Sequence, residues 1–230
     1  MKYASLFFDL DDTLWDTACN NRACLEEIYC DYRLGCYYTS FEDFYAIYMP
    51  HNLLLWAKYR NHEIDRRTLI LERFLFVLRP LGINDEGYVL KLNNDFLRRT
   101  TNKTRLIEGA IDLLEYLYPK YRLFIISNGF REIQSLKMQN SGLAPYFGRI
   151  LLSEDVSIQK PHREIFHYAL KSTNSRRTES LIIGDSWEAD MAGAQNARID
   201  SVWYNPNDEV AKGRPPTFTI RSLSELKQIL

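Results

Sequence analysis

The organisation of this chain is decided by the stretch Ala4-Ser5-Leu6-Phe7-Phe8-Asp9-Leu10-Asp11-Asp12-Thr13-Leu14. The apolar run that ends at Phe8 predicts a short buried strand, and the acids follow directly at its carboxyl end. Open α/β sheets place their chemistry at that edge. Asp9 and Asp11 are separated by one residue, so both carboxylates leave the strand end on one side and their charges repel. The stretch therefore predicts a catalytic strand end in which a cation or a shared proton relieves the repulsion.

Length and composition limit the classes of protein that the chain can belong to. Its 230 residues, 46% of them apolar and 26% charged, suit one large domain or two modest ones with a substantial core. The formal net charge of -1 gives no basic field for a nucleic acid polymer or an anionic membrane. No stretch approaches the ~18 consecutive apolar residues of a membrane helix. We expect a cytoplasmic protein that binds neither nucleic acid nor membrane and is a monomer or a weak homodimer.

The pattern of apolar residues changes character at about Lys103. Before it, helical periodicity dominates, as in Phe41-Phe44-Tyr45-Tyr48, whose spacing predicts a buried helix face. After it, predicted strands and helices alternate. The predicted strands are Leu123–Ile126, Ile150–Leu152, Leu181–Ile183 and Ser201–Trp203; the predicted helices are Ile107–Leu117, Glu132–Asn140, Arg163–Lys171 and Ala189–Ala197.

Alternating strands and helices predict a parallel sheet with right-handed crossovers, and the first strand is needed to complete it. We therefore predict an α/β fold with a Rossmann-like, three-layer core formed by residues 1–15 and 104–230. Residues 16–103 are predicted to form an all-helical domain inserted directly after the catalytic strand.

Three further strand ends carry polar groups. Ser127-Asn128-Gly129 follows the second core strand and offers a hydroxyl, an amide and backbone N–H groups that could cradle a phosphate. Lys160 is followed by a proline, Pro161, that we expect to start the next helix, and its ammonium group could neutralise a phosphoryl oxygen. Asp185 and Asp190 follow the strand Leu181–Ile183. Acids that offer only oxygen ligands suit Mg²⁺.

Each of these features has an ordinary structural explanation when it stands alone. An isolated aspartate after a strand most often caps a helix, and Ser127-Asn128-Gly129 is most often a turn. Lys160 alone would be a solvated charge, and Asp190 alone the first acid of a helix. Because all of them follow predicted parallel strands in one chain, a shared catalytic edge is the better interpretation.

These residues together resemble the four motifs of the haloacid dehalogenase-like hydrolase superfamily. The matches are Asp9 to Thr13, Ser127, Lys160, and Gly184 to Asp190, and the resemblance covers the whole chain. The helical insert resembles that superfamily's helical cap. The stretches around Ile126-Ser127-Asn128-Gly129 and from Gly184 to Asn196 are most similar to nucleotidase members of the YjjG type.

The resemblance implies a Mg²⁺-dependent phosphatase that acts on a small-molecule phosphate monoester, with a nucleoside monophosphate as one possible substrate. Asp9 would attack phosphorus to form an aspartyl-phosphate, and Asp11 would protonate the leaving oxygen and then activate water. These roles predict that Asp9 is ionised beside Lys160 and Mg²⁺. They also predict that the pKa of Asp11 lies above its reference value of about 3.9.

The same resemblance implies which residues hold the metal and which bind the phosphate. Mg²⁺ would be held by the Asp9 carboxylate, the Asp11 carbonyl and Asp185, with Asp190 as a direct or water-mediated ligand. The residues expected to bind the phosphoryl oxygens are Ser127, Asn128, Gly129 and Lys160.

Three other functions remain compatible with the sequence to different degrees. A phosphoglucomutase-like phosphotransferase would keep all four motifs. A dehalogenase would not need Asp185 and Asp190, which argues against it. A non-catalytic interaction protein is least favoured because no motif residue is missing.

Overall fold

A computed structural model describes residues 2–230. It divides them into two compact units, the first formed by the chain up to Thr17 together with Thr104–Leu230 and the second by Ala18–Lys103. Among the described residues, no helix is both long enough and apolar enough to cross a membrane.

The first unit contains a six-stranded parallel sheet. Its strands are β1 (Ser5–Phe8), β2 (Arg122–Ser127), β3 (Arg149–Leu152), β4 (Ser180–Gly184), β5 (Asp200–Tyr204) and β6 (Phe218–Ile220). The strand order is β3-β2-β1-β4-β5-β6, so the order reverses between β1 and β4. Ligands of open parallel sheets bind at such a reversal, outside the carboxyl ends of the strands.

Apolar side chains cover both faces of this sheet. Leu6 and Phe8 point into one cluster with Leu113 and Met138, whereas Phe7 points into the opposite cluster. The covering helices are α5 (Ala110–Leu117), α6 (Arg131–Asn140), α7 (Arg163–Ser172), α8 (Ala192–Ala197) and α9 (Leu226–Ile229). The three-layer, Rossmann-like core predicted from the alternation of strands and helices is confirmed.

Several boundaries differ from the predictions. Strand β6 and helix α9 were not predicted, because both are too short to show a period. Helix α5 begins only at Ala110, since Gly109 adopts a left-handed conformation with φ 78°. Pro161 does not start a helix; α7 begins at Arg163 after an extended residue. The predicted helix Ala189–Ala197 is a π-helical turn, Trp187–Met191, followed by α8.

The second unit is built from four α-helices. These are α1, which starts at the unit boundary (Thr17–Asp31), α2 (Phe41–Arg60), α3 (Arg66–Leu78) and α4 (Glu86–Thr101). Side-chain caps fix three of the starts: Ser40, Asp65 and Asp85 accept hydrogen bonds from the first turns of α2, α3 and α4.

The aromatic stretch of α2 packs inside this unit. Phe44 and Tyr48 are fully buried, and their rings stack with centroids 5.7 Å apart. Phe41 and Tyr45 lie at the edge of the same cluster. The buried helix face predicted from their spacing is therefore present.

Candidate active site

The carboxyl ends of β1, β2 and β4 bring the predicted site residues to one edge of the sheet. Phe8 pairs in register with Ile125 of β2 and Ile183 of β4, so the residues that follow these strands lie side by side. Asp9 continues β1 and donates its backbone N–H to the Ile183 carbonyl at 2.8 Å. Asp9 thus stands where the strand order reverses.

Three carboxylates gather at this point. Asp9, Asp185 and Asp190 each offer one oxygen, and these atoms lie within 4.8 Å of one another. Asp9 and Asp190 are buried, with 8% and 1% of their surfaces exposed. Asp185 is partly buried. A largely buried set of oxygen ligands with this spacing fits a hard divalent cation such as Mg²⁺. The residues present therefore fit the metal that the motifs imply.

Gly184 makes the approach of Asp190 possible. A Cβ atom at position 184 would overlap the Asp190 carboxyl group. Asp190 lies in the π-helical turn after β4, and Ser186 caps this turn by accepting a hydrogen bond from the Ala189 N–H at 3.1 Å. The glycine and the turn together place the Asp190 side chain against the end of β4.

Lys160 is the counter-charge of this cluster. Its Nζ donates to Asp9 Oδ1 at 2.5 Å, to Asp190 Oδ1 at 2.7 Å and to the Ile126 carbonyl at 2.9 Å. An ammonium group has three donors, so all of them are in use. Contact between Lys160 and a phosphoryl oxygen requires that one of these bonds be exchanged.

Burial and mutual repulsion raise the pKa values of two acids in the cluster. For Asp9, burial is the main cause; Lys160 opposes it, neighbouring carboxylates add to it, and the pKa rises to about 7. The pKa of Asp185 is raised well above its ordinary value by burial and by the charges of Asp9 and Asp190. Both acids therefore bind a proton more readily than an exposed aspartate does.

The Asp11 carboxylate faces donors instead of anions. It accepts hydrogen bonds from Lys137 Nζ at 2.5 Å, Gln134 Nε2 at 2.6 Å and Thr17 Oγ1 at 2.8 Å. Burial alone would raise the pKa of Asp11, but Lys137 and the other donors outweigh burial and lower it. The expectation that the pKa of Asp11 lies above its reference value is therefore wrong. The prediction considered only the neighbouring acid, Asp9, which is close in sequence. The donors Lys137 and Gln134 lie on α6 and Thr17 lies at the start of α1, so they are distant or unmarked in the sequence.

Ser127-Asn128-Gly129 forms a tight turn at the end of β2. Ser127 Oγ accepts from the Gly129 N–H at 3.0 Å and from Gln134 Nε2 at 2.7 Å, and among the described residues its own O–H has no acceptor. That hydroxyl is free to donate to a phosphoryl oxygen. The Gly129 N–H, which was expected to face the phosphate, is instead used within the turn.

Asn128 links this turn to Lys160. Its Oδ1 accepts from the Lys160 backbone N–H at 2.8 Å, and its Nδ2 donates to the Lys160 carbonyl at 3.1 Å. These two bonds fix the backbone from which the Lys160 side chain reaches the acids. In this structure the Asn128 side chain therefore orients the lysine.

Sequence reasoning assigned no role to four residues that contact the site. Thr13 Oγ1 donates to Asp185 Oδ1 at 2.9 Å, and Trp203 Nε1 donates to the Asp185 carbonyl at 2.8 Å. Gln134 and Lys137 contact Asp11 from α6. Gln134 and Lys137 could have been noticed in the sequence as two polar residues, three positions apart, on the face of α6 that also carries the buried Met138.

Comparison with known proteins places the chain in a family. The family model described as haloacid dehalogenase-like hydrolase matches residues 6–204. The pyrimidine 5'-nucleotidase YjjG of Escherichia coli (strain K12) is 33% identical over 232 residues, which cover 100% of this chain and 99% of that protein. The pyrimidine 5'-nucleotidase PynA of Streptococcus pneumoniae (strain ATCC BAA-255 / R6) is 30% identical and is covered to 96%, again over 100% of this chain.

A solved structure is similar to this chain in both fold and sequence. The crystal structure of the HAD hydrolase YfnB from Bacillus subtilis, bound to magnesium, superimposes with a TM-score of 0.90 at 32% sequence identity and covers 100% of this chain and 99% of that one. The match of sequence and fold extends over almost the whole chain. The chain belongs to the haloacid dehalogenase-like hydrolase family.

Proposed function

We propose that this protein is a Mg²⁺-dependent phosphatase that cleaves small-molecule phosphate monoesters through an aspartyl-phosphate on Asp9. The observation that carries the proposal is the buried Asp9 carboxylate at the end of β1, held by Lys160 and grouped with Asp185 and Asp190. This arrangement fixes a nucleophile and a counter-charge at one point of the sheet edge.

Two half-reactions follow from the residues in place. An Asp9 carboxylate oxygen attacks phosphorus, the ester P–O bond breaks, and the leaving oxygen takes a proton from the Asp11 carboxyl group. The Asp11 carboxylate then takes a proton from water while the water oxygen attacks phosphorus and the Asp9–phosphorus bond breaks. Inorganic phosphate leaves, and both aspartates return to their starting states.

The remaining residues bind and orient. Asp9, Asp185 and Asp190 would hold Mg²⁺, with the Asp11 carbonyl as a further oxygen ligand. When bound, Mg²⁺ neutralises negative charge on the carboxylates and on the phosphoryl oxygens. The free O–H of Ser127 would donate to a phosphoryl oxygen. Lys160 favours the ionised form of Asp9 against the effect of burial and orients its carboxylate.

We further propose a nucleoside monophosphate as the substrate. Two relatives similar to this chain over almost their whole length, YjjG and PynA, are pyrimidine 5'-nucleotidases. We expect kcat/KM with Mg²⁺ to be highest for nucleoside monophosphates in a panel that also holds sugar phosphates and phosphoglycolate. A preference for sugar phosphates, or a need for a bisphosphate activator, would contradict this substrate.

The test of the phosphatase itself is Asp9→Asn, which removes the nucleophile and keeps the shape of the side chain. We expect turnover of all esters to be abolished and Mg²⁺ binding to be only partly reduced, because Asp185 and Asp190 remain. The matched control is Asp112→Asn, since Asp112 is 72% exposed and lies on α5. A folded Asp9→Asn protein with normal activity would rule out the proposed mechanism.

A further inference from the structure

Helix α6 presents two buried polar side chains that belong to none of the sequence motifs. Gln134 and Lys137 are three residues apart, so they lie on the same face of the helix. They are 1% and 5% exposed. Burying an amide and an ammonium group costs free energy unless each forms hydrogen bonds or an ion pair. The groups that they contact therefore indicate the role of these two side chains.

Both side chains bind the same carboxylate, that of Asp11. Lys137 Nζ donates to Oδ1 at 2.5 Å, and Gln134 Nε2 donates to Oδ2 at 2.6 Å. Thr17 Oγ1 adds a second donor to Oδ1 at 2.8 Å. Each oxygen of Asp11 thereby accepts a hydrogen bond from outside the Asp9–Thr13 stretch, and the rotation of the carboxyl group is restricted.

Gln134 also ties Asp11 to the proposed phosphate-binding hydroxyl. The same Nε2 that bonds Asp11 donates to Ser127 Oγ at 2.7 Å. A Cβ atom at position 129 would overlap the Gln134 side chain, so Gly129 provides the space in which this bridge forms. One side chain therefore contacts both the proton-transfer group and the proposed phosphate-binding hydroxyl.

Lys137 also contacts the ring of Trp15. Its Nζ lies 4.1 Å from the centroid of the Trp15 ring, and Trp15 is fully buried. A cation over an indole face is stabilised by the ring quadrupole. The ammonium group thus contacts both an aromatic ring and the Asp11 carboxylate.

All the partners of Asp11 in this arrangement are donors, which matches its ionised form. An ionised carboxylate only accepts hydrogen bonds, whereas a protonated one would bring an O–H group against these donors. The ionised form is the one that takes a proton from water in the second half-reaction. The arrangement therefore supports hydrolysis of the aspartyl-phosphate more directly than its formation.

We propose that Gln134 and Lys137 are positioning residues that hold the Asp11 carboxylate in the orientation from which it activates water against the aspartyl-phosphate. This inference rests on the proposed phosphatase function. Neither residue touches the reacting atoms; both act through Asp11.

The test compares Gln134→Met and Lys137→Met with the unaltered full chain, using 4-nitrophenyl phosphate and Mg²⁺. This ester has a leaving group that departs without a proton, so formation of the aspartyl-phosphate needs no acid. We expect kcat to fall by about 10-fold or more, since misplacing a reacting group by ~1 Å can cost ~100-fold. Because only the second step is slowed, KM should fall with kcat and kcat/KM should change little.

Two further measurements separate positioning from a general loss of structure. Intact-protein mass spectrometry during turnover should show more protein carrying one added phosphoryl group in both Met variants than in the unaltered chain. Lys137→Arg, which keeps the charge and the donors, should restore part of kcat. Gln139→Met, an exposed position on α6, is the matched control and should behave like the unaltered chain.

The outcomes are distinct. Equal losses in kcat and kcat/KM without accumulation of phosphorylated protein would overturn the positioning role, as would Met variants that match Gln139→Met. If one Met variant fails to fold, the other decides. An unaltered chain that neither hydrolyses the ester nor becomes phosphorylated would overturn the proposed function and this inference with it.

Discussion

Lys160 Nζ lies 2.5 Å from Asp9 Oδ1, an ion pair that joins residues 151 positions apart in the chain. The same ammonium group binds Asp190, whereas Asp185 has no such partner among the described residues. When all three carboxylates are ionised, the group with Lys160 carries two negative charges in excess. One divalent cation would neutralise that excess.

Lys160→Met tests this ion pair. Methionine fills much of the space of the lysine stem but leaves Asp9 and Asp190 without their ammonium partner. Removing one partner of a buried pair typically costs about 3–5 kcal/mol of stability. We expect kcat to fall by about 100-fold or more, because a fixed charge at the reacting group is lost. Steady-state kinetics and thermal unfolding measure the two effects.

The control for this variant is Lys171→Met, at an exposed position of α7. The acids left behind by Lys160→Met can escape part of the cost by taking up protons. The loss of unfolding temperature should therefore be smaller at low pH than at neutral pH. A Lys160→Met protein with normal kcat would show that the ion pair has no part in turnover.

The sequence predicted the parts of the site that follow strand ends. Buried strands appear as apolar runs, and parallel strands bring their carboxyl ends to one edge, so Asp9, Ser127 and Asp185 could be expected to meet. The family resemblance then supplied roles for them. These expectations depend on the position of each residue at a strand end and not on the orientation of its side chain.

The sequence did not predict what surrounds each acid. The direction of the Asp11 pKa shift depends on Gln134 and Lys137, which reach it across 123 and 126 positions. Helical periodicity shows which residues share a face of α6, but no local pattern shows what that face meets. The π-helical turn Trp187–Met191 was also not predicted, because a single wider turn of five residues is too short to show a period of its own.

Thr13→Val tests how Asp185 is oriented. Thr13 is fully buried; its Oγ1 donates to Asp185 Oδ1 at 2.9 Å and accepts from the Asp185 N–H at 3.0 Å. Valine has the same shape without these bonds. Since loss of a partner of a metal ligand typically weakens binding by about 10–100-fold, we expect the Mg²⁺ concentration for half-maximal activity to rise by at least ~10-fold.

Thr13→Ser is the matched control, since it keeps the hydroxyl and should keep the Mg²⁺ response close to that of the unaltered chain. At saturating Mg²⁺, Thr13→Val should recover most of its kcat, because Thr13 does not contact the reacting atoms. An unchanged Mg²⁺ titration in Thr13→Val would show that these bonds do not orient a metal ligand.

The affinity for Mg²⁺ should depend on pH. The pKa of Asp9 is raised to about 7, chiefly by burial, and that of Asp185 is raised for the same reason. Protons and Mg²⁺ therefore compete for the same oxygens as the pH falls through about 7. We expect Mg²⁺ to raise the unfolding temperature more at about pH 8 than at about pH 6, as measured by calorimetry with Mg²⁺ and with EDTA. An increase that does not change with pH would contradict the competition.

Asp95→Asn tests an ion-pair cluster within the helical unit. Asp95 Oδ2 accepts from Arg99 Nε at 3.0 Å, and Arg99 also pairs with Asp31 of α1 at 2.7 Å. Burial opposes ionisation of Asp95, but hydrogen bonds from Arg98 and Arg99 outweigh burial and lower the pKa of Asp95. A carboxyl group whose folded pKa is lowered stabilises the fold above its unfolded pKa of about 3.9. That stabilisation is lost as the pH falls through the folded pKa.

We therefore expect Asp95→Asn to lower stability by roughly 1 kcal/mol near neutral pH and to differ less from the unaltered chain as the pH falls below about 4. The control is Glu26→Gln on α1, an exposed acid without an ion pair among the described residues. Unfolding temperatures of the three proteins across this pH range measure the difference. Asp95→Asn leaves Arg99 with its acidic partners Glu27 and Asp31, so most of the link between α1 and α4 should survive. A stability difference that stays constant down to the lowest pH would show that the Asp95 charge does not contribute.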